Sequence, residues 1–123
     1  MGITGISLSE TKDFISSIDT GSDKAVFKLG VLDAEAFASL GDLVNNPLKM
    51  MLEVVRFGLR GFSNFNDAEG KPVQFRTIAR QLGPNTYQVV ADSVLKIIPS
   101  QVINEMGAEI LQMSKLGESE VKN

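Results

Sequence analysis

Between Pro47 and Leu59 the chain sets Leu48, Met51, Leu52, Val55 and Leu59 at helical spacing, with Lys49, Glu53, Arg56 and Arg60 mostly on the other side. A helix of 3.6 residues per turn gathers such positions into one apolar stripe. The segment is therefore predicted to be an amphipathic helix and a central packing element. Pro47 suits its first turn, where a missing N–H costs no hydrogen bond. Gly58 and Gly61 close the pattern. Such a helix must bury its stripe, so neighbouring segments have to supply the cover.

The candidates for that cover are of both kinds. Ser7 and Glu10 have the spacing of a capping box, which predicts a short helix over 8–18 with Leu8, Phe14, Ile15 and Ile18 as its apolar side. Residues 25–32 alternate as a strand does, with Phe27, Leu29 and Val31 on one face. Asp33 is placed to cap a helix carrying Phe37, Leu40 and Val44. Residues 66–72 read as a turn and 73–82 as extended chain. Gly83-Pro84-Asn85 then reads as the turn of a hairpin whose second strand starts at Thr86. Asp92 is predicted to cap a helix over 93–98. A last helix from Pro99 or Ser100 carries Ile103, Met106, Ile110 and Met113, with Glu105 and Glu109 on a solvated face and Gly117 as C-cap. Together these predict one α+β domain over residues 1–117, mostly helical, with a small antiparallel sheet or hairpin. A polar tail follows at 118–123.

Composition limits the chemistry. A length of 123 residues suits one core, and 43% hydrophobic with 22% charged residues suits a folded chain. There is no cysteine and no histidine. Disulfides and thiolate zinc sites are thereby excluded, and so are the commonest general base and the commonest transition-metal ligand. The net charge of −3 argues against bulk attraction to nucleic acid or to an anionic membrane. No apolar run is long enough to cross a bilayer. Residues 1–9 lack the basic and apolar regions of a signal peptide, so a cytoplasmic location is expected.

Each candidate site competes with a simpler account. Asn64, Asn66, Asp67 and Glu69 supply oxygens near Gly70, but the ligand series of a calcium loop is incomplete, and a solvated turn is expected instead. Arg56 and Arg60, four apart on a helix, with Arg76 and Arg80 on the next extended segment, suggest a phosphate-binding surface beside Phe62, Phe65 and Phe75. The acidic balance of the chain weighs against it. No carboxylate pair, serine or glycine loop has the spacing of a catalytic motif. No enzyme activity, cofactor or metal is expected. The methionines at 106 and 113 fit core packing, yet a terminal amphipathic helix also suits a partner's groove. The candidate partner-binding set is Ile103, Met106, Ile110 and Met113, with Arg56 and Arg60, and the expected partner is another protein or a further copy of the chain.

Three segments carry a family resemblance. They are Thr11-Lys12-Asp13-Phe14 with Ala25 to Asp33, then Gly58-Leu59-Arg60-Gly61-Phe62-Ser63-Asn64-Phe65 with Asp67 to Val73, and finally Ile97 to Met106 running to Leu116 and Lys122-Asn123. Together they resemble small accessory proteins of tailed-phage morphogenesis, including tail assembly chaperones. The resemblance implies a non-enzymatic protein made in an infected bacterium that binds a tape-measure or tail-tube protein. Related possibilities are a decoration or connector protein of the virion and an inhibitor of a host enzyme or defence system.

Overall fold

The computed structural model describes residues 2–3 and 5–115. Its elements in chain order are β1 (Thr11–Phe14), β2 (Val26–Gly30), α1 (Ala34–Ala38), a 3-10 turn (Ser39–Leu43), α2 (Pro47–Gly58), β3 (Leu59–Ser63), β4 (Thr77–Leu82), β5 (Asn85–Val90), α3 (Asp92–Leu95) and α4 (Ser100–Lys115). They form two antiparallel sheets, one of order β1-β2-β3 and one the β4-β5 hairpin. Helix accounts for 37% and strand for 25%, so the fold is α+β but not mostly helical as the sequence suggested.

The first correction is at the N-terminal end. No helix forms over 8–18. Thr11 to Phe14 instead pair with β2, Thr11 against Gly30 and Phe14 against Phe27. The backbone finds its hydrogen bonds across the sheet, and tertiary pairing overrides the local capping signal. Beyond β1, the buried Ser16 donates its hydroxyl to Glu105 of α4 at 2.6 Å, and the Ser17 amide donates to the same oxygen at 3.1 Å. Lys12 pairs with Glu109. The two glutamates expected on a solvated face therefore pin β1 and the segment after it to α4. These bonds to Ser16 and Ser17 hold the Glu105 carboxyl below its ordinary value.

The second correction is β3. The chain leaves α2 at Gly58 and turns directly into a strand alongside β2. Leu59, expected in the helical stripe, is buried from that strand. The stripe itself is rotated and shifted toward the helix C-terminus, with Val54, Val55 and Phe57 buried and Leu48 72% exposed. The cover explains the shift. A Cβ on Gly58 would lie 2.6 Å from Ile110 Cδ1, and one on Gly107 would lie 2.6 Å from Met51 Sδ. Ile110 thus packs onto the bare backbone of Gly58 and Met51 onto that of Gly107, while Leu48 in the first turn of α2 stays exposed.

The hairpin is present, with Leu82 paired to Asn85 across Gly83-Pro84, and Gly83 takes φ 56°. Asn85 is the first residue of β5 rather than part of the turn, and β4 starts at Thr77 rather than Val73. Asp92 does not cap α3. Ala91 holds the N-cap position, and the Asp92 carboxylate pairs with Arg56. The expected C-cap Gly117 and the tail at 118–123 lie outside the described residues.

Candidate functional site

The six residues proposed as a partner surface do not share one. Ile103, Met106, Ile110 and Met113 are buried in the domain's own core, Met106 and Ile110 at 0% exposure. Their stripe is consumed by α2 and β2, so it offers nothing to a partner in this fold. Arg56 is likewise internal. It donates from Nε to Glu53 and from Nη1 to Asp92, while Arg80 reaches the other oxygen of Glu53 at 2.6 Å and lies 5.8 Å over the Phe57 ring. Burial disfavours the Arg56 charge, but the bonds to Asp92 and Glu53 outweigh it and raise its pKa. This network ties α2 to the hairpin and to α3.

The aromatic residues considered for base stacking stack on one another. Phe62 meets Phe65 and Phe75 edge-on at 5.2 and 5.4 Å, and Phe27 closes the cluster. The acidic turn is also self-satisfied. Asp67 Oδ1 accepts the amides of Glu69 and Lys71, and Gly70 supplies the positive φ of 81°. Among the described residues no group of three acidic side chains is placed to hold a metal ion.

Of the six, Arg60 borders an open hollow among the described residues. Two hollows flank the start of α1 and share Leu32. One, of about 250 Å³, is bordered by Leu8, Val31, Phe57, Arg60 and Tyr87. The other, of about 390 Å³, is apolar and bordered by Ile6, Phe37, Ala38 and Ser114. Ile6 and Leu8 come from the segment before β1, and Leu8 is 57% exposed at the rim. Ser114 of α4 fixes the shared wall. Its hydroxyl accepts the Leu32 amide at 2.8 Å and donates to the Ile110 carbonyl at 2.7 Å.

The polar side of the first hollow is built around Asp33. As expected from the sequence, Asp33 caps α1, its Oδ1 accepting the Ala36 amide at 2.8 Å. Tyr87 on β5 also donates its hydroxyl to this carboxylate, at 2.9 Å to Oδ2. Tyr87 stands edge-on to Phe57 at 5.6 Å, and beside it Asn85 donates to Glu35. Partial desolvation raises the Tyr87 phenol first, and the hydrogen bond and negative charge of Asp33, with Glu35 behind it, add to the effect, pushing it up to about 12. Held this way, the phenol is a donor and Asp33 an occupied acceptor at neutral pH, an arrangement suited to recognition. Sequence reading missed Tyr87, since a single tyrosine on a short strand carries no signal of what it will face.

Tyr87 is the only tyrosine, and there is no tryptophan, so its ionisation can be read directly. The tyrosinate absorbance is expected to appear with a midpoint near 12. In Asp33→Asn, which keeps a competent cap, the midpoint should return toward 10. Because the folded value is the raised one, this contact contributes fully below the unfolded value and is lost as the pH rises through the folded one. Stability should therefore decline more steeply above pH 10 in the parent than in the Tyr87→Phe variant.

No protein family, no curated protein and no solved structure matches this chain.

Proposed function

We propose that this chain is a non-enzymatic binding protein of tailed-phage morphogenesis, of the tail assembly chaperone type. It would hold a tape-measure or tail-tube protein through the surface around α1. The setting rests on the resemblance carried by the three sequence segments. The observation that supports the mode of action is the pair of adjoining hollows sharing Leu32, with apolar walls, exposed Leu8 at the rim and a few fixed polar groups. Concave apolar surface with a small number of oriented polar groups is the usual form of a recognition site. The core stripe of α4 takes no part.

The test is co-expression with the products of the neighbouring morphogenesis genes. A soluble complex with the tape-measure or tube protein is expected, weakened by Leu8→Asp, together with absence from finished particles. Stoichiometric copies in the particle would instead support a decoration or connector protein. Enrichment of one host enzyme, with no phage partner, would support an inhibitor.

A further inference from the structure

We propose that Arg60 is the anchor of a docking site for an acidic side chain of a partner protein, an Asp or Glu flanked by an apolar residue that enters the hollow beside it. The inference rests on the protein-binding function proposed above and supplies the partner's chemistry.

Four features of the backbone and side chains seat this arginine. The ladder between β2 and β3 pairs Lys28 with Gly61 and Leu29 with Leu59, so Arg60 is the extra residue of a β-bulge. A bulge breaks the alternation of a strand and re-aims one side chain. The arginine then lies flat on Gly30, where a Cβ would come within 2.3 Å of its Nε and 3.1 Å of its Cζ. Only glycine at 30 leaves room for it. Its Nη2 donates to the Val31 carbonyl at 2.8 Å, which fixes the plane of the guanidinium. Its stem and Gly30 adjoin the apolar wall made by Val31, Leu32 and Phe57.

What the seat lacks, among the described residues, is a carboxylate in contact with the guanidinium. Lys12, Lys28, Arg56 and Arg80 each pair with a carboxylate within 4 Å. Among the described residues Arg60, like several surface lysines and Arg76, does not, and it differs from those in being seated by the bulge and the Val31 carbonyl. Asp33, the acidic residue bordering the same hollow, is already taken up by Tyr87 and the Ala36 amide. Packing disfavours the Arg60 charge, and the field of Asp33 offsets this only in part. A positioned guanidinium with free N–H donors matches a carboxylate in geometry as well as charge. A nucleic-acid backbone fits less well. It needs several cations in a row, whereas a single arginine borders this hollow.

The experiment is an NMR titration of the labelled full chain with a blocked leucine–aspartate–leucine tripeptide at millimolar concentration. Saturable shifts are expected at the amides of Val31, Leu32 and Tyr87. The leucine–asparagine–leucine analogue should bind at least about tenfold more weakly, a loss of about 1.4 kcal/mol. R60Q should lose the difference between the two peptides. R60K, which keeps the charge without the planar fork, should retain only part of it, and it serves if R60Q fails to fold. Equal binding of both peptides, no saturable shift, or shifts confined to other surfaces would overturn the proposal. So would an oligonucleotide that displaces the peptide at the same amides, or a dimer that R60Q dissociates. Tighter peptide binding after Glu118 and Glu120 are changed to glutamine would name the chain's own terminal residues as occupant and equally overturn it. A morphogenesis partner captured alike by the parent and R60Q would leave the proposed function standing and remove Arg60 as its anchor.

Discussion

Ile110→Ala is expected to lower the unfolding free energy by about 2–5 kcal/mol, with a fall in Tm of roughly 10 °C or more. Ile110 is fully buried, and its methyl groups occupy the space that a side chain on Gly58 would need. Removing them leaves a cavity between α4 and α2 that Gly58, with no side chain, cannot fill. The lost transfer free energy and the cavity cost therefore add. The matched control is Leu48→Ala, which the sequence pattern alone would rank as equally severe. Because Leu48 is largely exposed, its change should stay within about 0.5 kcal/mol. Denaturant unfolding of both variants checks the pair. A small effect at Ile110 with a large one at Leu48 would mean that α2 buries its first turn rather than packing its C-terminal end against α4.

Glu53→Gln should cost about 2 kcal/mol at neutral pH and flatten the acid limb of the stability curve. Glu53 is a carboxylate shared by Arg56 and Arg80, and its side chain is 19% exposed. Loss of its charge strands two partly buried guanidinium groups, although Arg56 keeps Asp92. Complete burial would warrant a larger figure, and partial exposure reduces it. Burial pushes the Glu53 carboxyl up, but hydrogen bonds and charge from Arg56 and Arg80 together hold it below 4.5. A carboxyl depressed in the folded state contributes fully above its unfolded value, and the contribution disappears as the pH falls through the folded one. Asp92, depressed by the same arginine through its hydrogen bond to Arg56, shifts the same way. Urea midpoints measured from neutral pH down to about pH 3 should thus fall more steeply for the parent than for Glu53→Gln. Parallel curves would exclude Glu53 as the acid-sensitive group of the fold.

Arg56 and Arg60 show why the candidate site could not be read one-dimensionally. Four residues apart, they look equivalent if the helix continues through both. The helix ends at Gly58, so Arg56 stays on α2 inside an ion-pair network while Arg60 becomes the bulged residue of β3. The glycine that ends the helix was visible. The strand that begins at once was not, because its pairing partner is about thirty residues away at 26–30. Likewise nothing local announces that Tyr87 meets Asp33, or that Gly30 makes room for Arg60.

Local physical chemistry was enough for the elements whose signals are local. The Asp33 cap, the start of α2 at Pro47, the inward face of β2, the turn at Gly83-Pro84 and the stripe of α4 all follow from residues within a few positions of one another. Tertiary structure decided the rest. It made residues 11–14 a strand, turned Glu105 and Glu109 into tethers, placed the α4 stripe in the core and left the hollows around Leu32 open. Each of these outcomes depends on contacts between segments tens of residues apart, whose free energy exceeds a local preference worth only about 1 kcal/mol or less per residue.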